Sequence, residues 1–334
     1  MGLAETERLS ELIAGAALSH AICSIAELGI ADRIKAGTPQ SVERLANATG
    51  VHERSLYRVL RYMASHGIFR EAGHRQFDHT PLSAALRSDA PDSFRPAARL
   101  FHLLRSSWPG LHYALLTGKP GFEEAYGGPM FEYIGAHPEL AATFDAGMTS
   151  FHGHETPAML DAYDFTGIGT LADIGGGNGS LLSAVLHRCP KMKGILFDLG
   201  HVVARAKERL RSEGLADRCS IVEGSFFDSV PKGADAYVLR HVIHDWTDEQ
   251  SAQILKNVRN AIPAHGRILL VEFAVPPGNE PGLGKDADML MLIFPGGVER
   301  TEAEYSSLFE QAGFRLSKVT PTASAVNVVE GRPV

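Results

Sequence analysis

Thr170-Leu-Ala-Asp-Ile-Gly-Gly-Gly-Asn-Gly-Ser180 is the stretch around which the 334-residue chain is organised. The short apolar run Leu171 to Ile174 predicts a buried strand. Glycines at 175, 176, 177 and 179 break it, and Leu181-Leu-Ser-Ala-Val-Leu186 predicts a helix. Strand, glycine loop and helix bring backbone N–H groups and a helix N-terminus to a ligand, and a Cβ in the loop would hold that ligand off. A second strand, Gly194-Ile-Leu-Phe-Asp198, ends in an acid 23 residues after Gly175, where a ribose-binding carboxylate belongs in such a unit. The loop alone does not name the ligand. A dinucleotide fingerprint places glycine at the sixth position, which here is Ser180. Asp173, separated from Gly175 by one residue, stands inside the strand and can take the amino group of a cationic ligand or simply cap the turn.

Outward from this loop, strands and helices alternate. Strands are expected at 170–174, 194–198, 219–223, 235–241 and 267–275, and helices near 180–189, 201–213, 247–261 and 301–312. This pattern is α/β: a doubly wound, Rossmann-like parallel sheet. Two late runs, Phe314–Thr320 and Ala325–Glu330, are joined by a short link and so should pair antiparallel. Upstream, 93–165 is mostly helical and rich in aromatics, a plausible wall for a flat organic substrate. Residues 39–88 read as helix-turn-helix plus wing, with Ser41 as N-cap of the first helix. Its second helix carries Arg54, Arg58 and Arg61, so a winged DNA-binding module is the competing reading. Residues 5–35 predict a long helix whose apolar stripe (Leu9, Leu12, Ile13, Ile25, Leu28 among others) is wide. It packs either inside its own domain or on a second copy of the chain.

Composition narrows the classes. A net charge of −7 gives no global field toward nucleic acid or an anionic membrane. Three scattered cysteines, Cys23, Cys189 and Cys219, without a CxxC pair, suit free thiols in a reducing, cytoplasmic setting. No signal peptide is visible, and no apolar run approaches membrane-spanning length. His152 and His154 lie two apart and share no helical face, so no metal is expected there, and no metal-ligand cluster is expected elsewhere.

Ligands of doubly wound sheets bind at the carboxyl ends of the strands. Beyond the fourth strand stands His244, in Arg240-His-Val-Ile-His244-Asp245-Trp246, a group able to take a proton from a hydroxyl near neutral pH. Glu272 lies inside the apolar run Ile268–Val275 and needs a partner, for which an imidazolium is the obvious candidate. Glu299, before a predicted helix, is either a second orienting carboxylate or a helix-start acid.

With these residues assembled, the sequence resembles the plant-type and bacterial small-molecule O-methyltransferases that use S-adenosylmethionine, a family that includes caffeate, hydroxyindole and antibiotic-tailoring enzymes. The matching motifs are Ala172–Gly179, Phe197-Asp-Leu199, Gly224–Phe227, Arg240–Trp246, Glu272 and Gly296–Thr301, and the likeness covers nearly the whole chain. It implies a winged-helix dimerisation domain over 1–105, and a helical substrate layer plus methyltransferase domain over 106–334. It implies S-adenosyl-L-methionine as cofactor, a hydroxylated small molecule as acceptor, a homodimer, and neither nucleic acid nor membrane as partner. By position, His244 would be the general base, flanked by Glu272 and Glu299. Asp173, Gly175, Gly177, Asp198, Ser225, Phe226 and Arg240 would meet the cofactor. Phe144, Met148, Asp245 and Phe294 would meet the acceptor. Ser225 departs from the family's usual aspartate, and Phe294 from a polar residue of plant members, which favours a more apolar acceptor. A transcriptional regulator, a nicotinamide dehydrogenase and a relative repurposed for non-methylating chemistry are the alternatives; the histidine and both glutamates favour methyl transfer.

Overall fold

The computed structural model describes residues 3–334, with the side chain of residue 205 outside the description. The chain forms two compact units. One joins Met1–Arg105 to His137–Gly153, and the other joins Ser106–Ala136 to His154–Val334.

The first unit opens with helix α1 (Leu3–Leu28), followed by α2 (Val42–Thr49) and α3 (Glu53–Ser65). Ser41 caps α2 by accepting the Arg44 N–H, and Gly50 ends it at a φ of 70°, a conformation that glycine adopts without a steric penalty. Strands β1 (Gln40–Ser41), β2 (Phe69–Gly73) and β3 (Gln76–His79) form an antiparallel sheet in the order β1-β3-β2. Ile25, Ile30, Leu45, Leu60, Phe69 and Phe77 fill its core. This is the expected helix-turn-helix with wing. Only the C-terminal part of α1 joins that core. Leu9, Leu12 and Ile13 are 52%, 58% and 77% exposed, so the front of the apolar stripe is not buried within this chain. The expectation that no apolar run reaches membrane-spanning length is corrected here. By length and composition alone α1 meets that measure, because Glu5, Glu7, Arg8 and Glu11 lie near its start and Glu27 near its end, and the stretch between is mostly alanine, leucine and isoleucine.

The second unit is built on seven strands: β4 (Thr170–Ile174), β5 (Lys193–Asp198), β6 (Cys219–Glu223), β7 (Ala236–Arg240), β8 (Arg267–Glu272), β9 (Phe314–Pro321) and β10 (Asn327–Pro333). Their order is β6-β5-β4-β7-β8-β10-β9. The first five run parallel, and β10 pairs antiparallel with both β8 and β9, as the short link between the late runs requires. Successive residues of a strand feed opposite faces. Leu171, Leu196, Val238 and Leu269 enter one core, while Ala172, Phe197, Tyr237 and Leu270 enter the other. Both faces are covered, which is why these strands read as continuous apolar runs rather than alternating ones. Truncating one such leucine to alanine should cost about 2–5 kcal/mol. A helix absent from the sequence reading, Leu283–Ile293, follows β8. It is short and opens after Gly282, without a capping side chain to announce it.

The chain lays down β4, β5 and β6 toward one edge and then returns to place β7 on the other side of β4. That reversal makes the carboxyl ends of β4 and β7 the topological switch point, where a doubly wound sheet opens a crevice. Asp198, Arg240 and Glu272 each end a strand on that edge.

Candidate active site

The glycine loop is locked by its own hydrogen bonds. Gly175 N–H donates to the Phe197 carbonyl at 2.8 Å, Gly176 N–H shares that acceptor at 3.3 Å, and Gly179 N–H returns to the Gly176 carbonyl at 2.9 Å. Gly177 N–H donates to Asp198 Oδ2 at 2.8 Å, and Ser180 N–H to Asn178 Oδ1 at 3.2 Å. Gly175 and Gly177 sit at φ 69° and 57°, in the left-handed region. A Cβ on Gly175 would lie 2.8 Å from Val242 Cγ2, so the loop seats directly on the turn after β7. A Cβ on Gly177 would meet nothing within 4 Å. The loop therefore presents open space there, beside a carboxylate. Asp198 is aimed by two backbone donors, since its Oδ1 also accepts the Leu199 N–H at 2.7 Å.

Asp173 is buried, and its Oδ2 accepts no hydrogen bond among the described residues. Burial pushes its carboxyl up to about 7; Arg240 works against that rise and Asp198 adds to it. Arg240 ends β7 and donates to Thr156 Oγ1 at 2.8 Å and Ser180 Oγ at 3.3 Å. Ser225 Oγ accepts the Phe227 N–H at 3.2 Å. Phe226 packs edge-on against Phe227 and Trp246, with centroids 5.0 and 5.9 Å away.

Past β7 the chain makes a short 3-10 turn, Ile243–Asp245, which carries His244. Three contacts fix this turn. Glu272 Oε1 accepts the N–H groups of Val242 and Ile243 at 3.1 and 3.0 Å. Arg300, 1% exposed, donates to the carbonyls of Ile243 and Trp246 at 3.0 Å each and pairs with Asp248 at 2.8 Å. Val298 N–H donates to the His244 carbonyl at 2.8 Å. That last bond requires Gly297, because any Cβ there would overlap the His244 carbonyl oxygen. The close approach delivers Glu299 to the imidazole: Glu299 Oε1 lies 2.6 Å from His244 Nδ1. Asp288 in turn accepts the Glu299 N–H at 2.9 Å.

Glu272 Oε2 stands 3.6 Å from His244 Nδ1, and Asp245 Oδ1 stands 3.5 Å from His244 Nε2. The imidazole expected beside Glu272 faces its second oxygen, while its first oxygen takes the hydrogen bonds from backbone. Burial would lower the His244 pKa, but the charges of Glu272, Asp245 and Glu299 outweigh it and push the ring up to about 10. Burial also raises Asp245, to about 6, and Glu272, for which His244 opposes the rise. Phe294 is buried against Trp108, edge-on at 6.2 Å. Phe144 and Met148 belong to the first unit, on helix Pro138–His152.

Sequence reasoning missed His241, Glu155, Arg300 and Asp288. His241 takes a φ of 51° and lies 2.8 Å from Glu155 Oε2 through Nε2. The signal was two histidines three apart just past a strand end, a spacing that one helical turn brings to the same side. The expectation of no metal-ligand cluster is also corrected, because His241, His244 and Glu272 bring ligand atoms within 4.8 Å of one another. Residues from two strand ends meet there, a juxtaposition that linear spacing does not display.

Two family models match the chain: an O-methyltransferase domain over residues 108–315 and an O-methyltransferase dimerisation domain over residues 10–89. The chain belongs to this O-methyltransferase family. It is 42% identical to a phenazine O-methyltransferase of Lysobacter antibioticus over 98% of this chain and 96% of that one. It superposes with a TM-score of 0.88 on a methyltransferase of calicheamicin biosynthesis in its S-adenosylhomocysteine-bound form, at 36% identity and covering both chains fully. It superposes at 0.83 on an O-methyltransferase of neocarzinostatin biosynthesis in complex with S-adenosylmethionine and 2-hydroxy-5-methyl naphthoic acid, at 32% identity over 95% of this chain and 96% of that one. The fold is thus the class I methyltransferase fold with an N-terminal helical dimerisation domain, and the enzyme is an S-adenosylmethionine-dependent O-methyltransferase. The residues present fit that cofactor. The buried, unpartnered Asp173 Oδ2 suits a cationic ligand, the bare Gly177 leaves room, and Asp198 offers a fixed acceptor.

Proposed function

We propose that the enzyme methylates a hydroxyl of an aromatic or polyketide-like small molecule, with His244 as general base. The observation that carries this reading is the buried His244–Glu299 contact of 2.6 Å, held in place by Gly297 and Arg300. The bound cofactor supplies a methyl already activated on a sulfonium, so the protein has to align the acceptor and remove one proton. His244 Nε2 takes that proton, while Nδ1–H donates to Glu299. Glu272 adds a second negative charge beside the ring, and Glu272, Arg300 and Val298 keep the turn from shifting.

The raised basicity has a purpose. An ordinary imidazole near 6.5 would face a phenol near 10 uphill by about 5 kcal/mol. With the ring pushed up to about 10, transfer from a phenol becomes close to balanced. Asp173, Gly175, Gly177, Asp198, Ser225, Phe226 and Arg240 are the cofactor-binding set in this reading, and Asp245 and Phe294 the acceptor-facing residues of this unit. The apolar Phe294 against Trp108 favours an apolar ring system. The enzyme acts as a homodimer, with the exposed front of α1 covered by a second copy, and in a reducing cytoplasm that keeps Cys23, Cys189 and Cys219 as thiols.

Incubation with methyl-labelled S-adenosylmethionine and a panel of hydroxylated phenazines, naphthoates and quinones tests the reading. A labelled methyl ether of one acceptor class is expected. Label found on nitrogen or carbon of every accepted compound, and on no hydroxyl, would refute it.

A further inference from the structure

His241 has no part in the proton transfer just described, yet it occupies a strained conformation beside it. Its φ of 51° lies in the left-handed region, which few non-glycine residues adopt. Its Nε2 is 2.8 Å from Glu155 Oε2, and both side chains are buried, at 7% and 2% exposure. When Nε2–H donates to Glu155, Nδ1 carries its lone pair toward Glu272 Oε2, 3.6 Å away. Glu272 Oε2 is likewise 3.6 Å from His244 Nδ1 and accepts no hydrogen bond among the described residues. Three ligand atoms of the kinds that zinc prefers thus converge on one buried point.

We propose that His241 Nδ1, His244 Nδ1 and Glu272 Oε2 form an inhibitory site for a borderline divalent transition metal such as Zn2+. The spacing suits it. Ligands about 2.0–2.1 Å from a tetrahedral zinc lie roughly 3.4 Å apart, and the two measured separations here are 3.6 Å. The second layer suits it as well, since Glu155 on the far nitrogen of His241 forms the carboxylate–histidine–metal arrangement that fixes a ligating tautomer. Glu299 Oε1, 2.6 Å from His244 Nδ1, is too close to be a co-ligand by the same measure and moves aside when the metal takes that nitrogen.

Binding has a defined proton balance. From the imidazolium the Nδ1 proton leaves to solvent, and from the neutral ring it moves to Nε2; in both cases the metal takes the Nδ1 lone pair and Nε2 carries the one remaining hydrogen. An imidazole fixed in that tautomer has no lone pair at the nitrogen that would accept the substrate proton. Occupancy therefore stops methyl transfer, a consequence that rests on His244 acting as base; the binding itself does not.

Tag-free, chelator-treated protein titrated with Co2+ tests both halves. The expected result is the intense visible spectrum of four-coordinate Co2+, abolished by one equivalent of Zn2+, with turnover lost in step and restored by chelator. His241→Ala should remove the spectrum. Glu155→Gln, nearly isosteric, should weaken Co2+ binding by about 10–100-fold. No four-coordinate spectrum in the unmodified protein, or a spectrum that survives unchanged in both variants, overturns the site. A bound metal that leaves turnover intact overturns the inhibition and, separately, the assignment of His244 as base.

Discussion

Replacing Glu299 by glutamine removes one negative charge 2.6 Å from His244 Nδ1 and keeps an oxygen able to accept the ring N–H. A hydrogen bond to a charged group contributes about 1.5–3 kcal/mol, which is roughly 1–2 pKa units. Glu272 at 3.6 Å and Asp245 at 3.5 Å remain, so the ring should fall part of the way from about 10 rather than to its ordinary value. The sign follows from which form works. A base must be unprotonated, so kcat/KM rises with pH through the pKa of the cluster. In Glu299→Gln that rise should move about 1–2 units toward acid, while the alkaline plateau falls about 3–10-fold because the weaker base takes the proton less readily. Near neutral pH, below both pKa values, the unprotonated fraction rises about 10–100-fold and outweighs that loss, so kcat/KM there should rise about 3–10-fold, which a single-pH assay would misread as a better catalyst. The assay is kcat/KM from pH 6 to 11 with methyl-labelled cofactor. An acid limb that stays in place, or moves to higher pH, refutes the charge coupling.

Four further outcomes are expected. His244→Ala should lower kcat about 10²–10⁴-fold, with cofactor affinity by calorimetry nearly unchanged; full turnover with the same pH profile would place the base elsewhere. Asp198→Ala should weaken S-adenosylmethionine binding by about 1.5–3 kcal/mol, since it removes an acceptor that two backbone donors hold in place; unaltered calorimetry would contradict its role. Gly297→Ala should cost about 1–3 kcal/mol of stability and impair turnover together, because the loop must withdraw from the His244 carbonyl; equal thermal transitions would show that the packing is slack. Sedimentation at micromolar concentration should show a dimer that Leu12→Asp with Ile13→Asp disperses, whereas a monomeric parent protein would leave the exposed face of α1 without that explanation.

The parallel sheet was legible because its inner strands β4, β5, β7 and β8 are short apolar runs closed by glycine or a charged residue, and their burial on both faces leaves little polar alternation. His244, Glu272 and Glu299 stood out because polar groups beside strand ends conflict with their apolar neighbours. The support beneath them did not. Arg300 looks like any charge at a helix start until its burial under the Ile243–Asp245 turn is seen. Gly297 looks like a loop residue until a carbonyl is found where its Cβ would be. His241 and Glu155 are 86 residues apart, and no local period connects them. Helix Leu283–Ile293 escaped for a different reason: it is short and opens without a capping side chain.

The glycine loop's self-contained hydrogen bonding also bears on the timing of the catalytic cycle. Ordering a residue's backbone costs about 1–2 kcal/mol, so a six-residue loop that had to fold around each arriving ligand would forfeit roughly 6–12 kcal/mol of affinity. Here that ordering happens once, when the sheet forms, because Phe197, Asp198 and the loop itself already hold the amides of Gly175, Gly176, Gly177, Gly179 and Ser180. Entry and departure of a ligand at this loop therefore need no melting and refolding of the backbone. The loop contributes no slow step of its own, and any gating of turnover has to come from other elements.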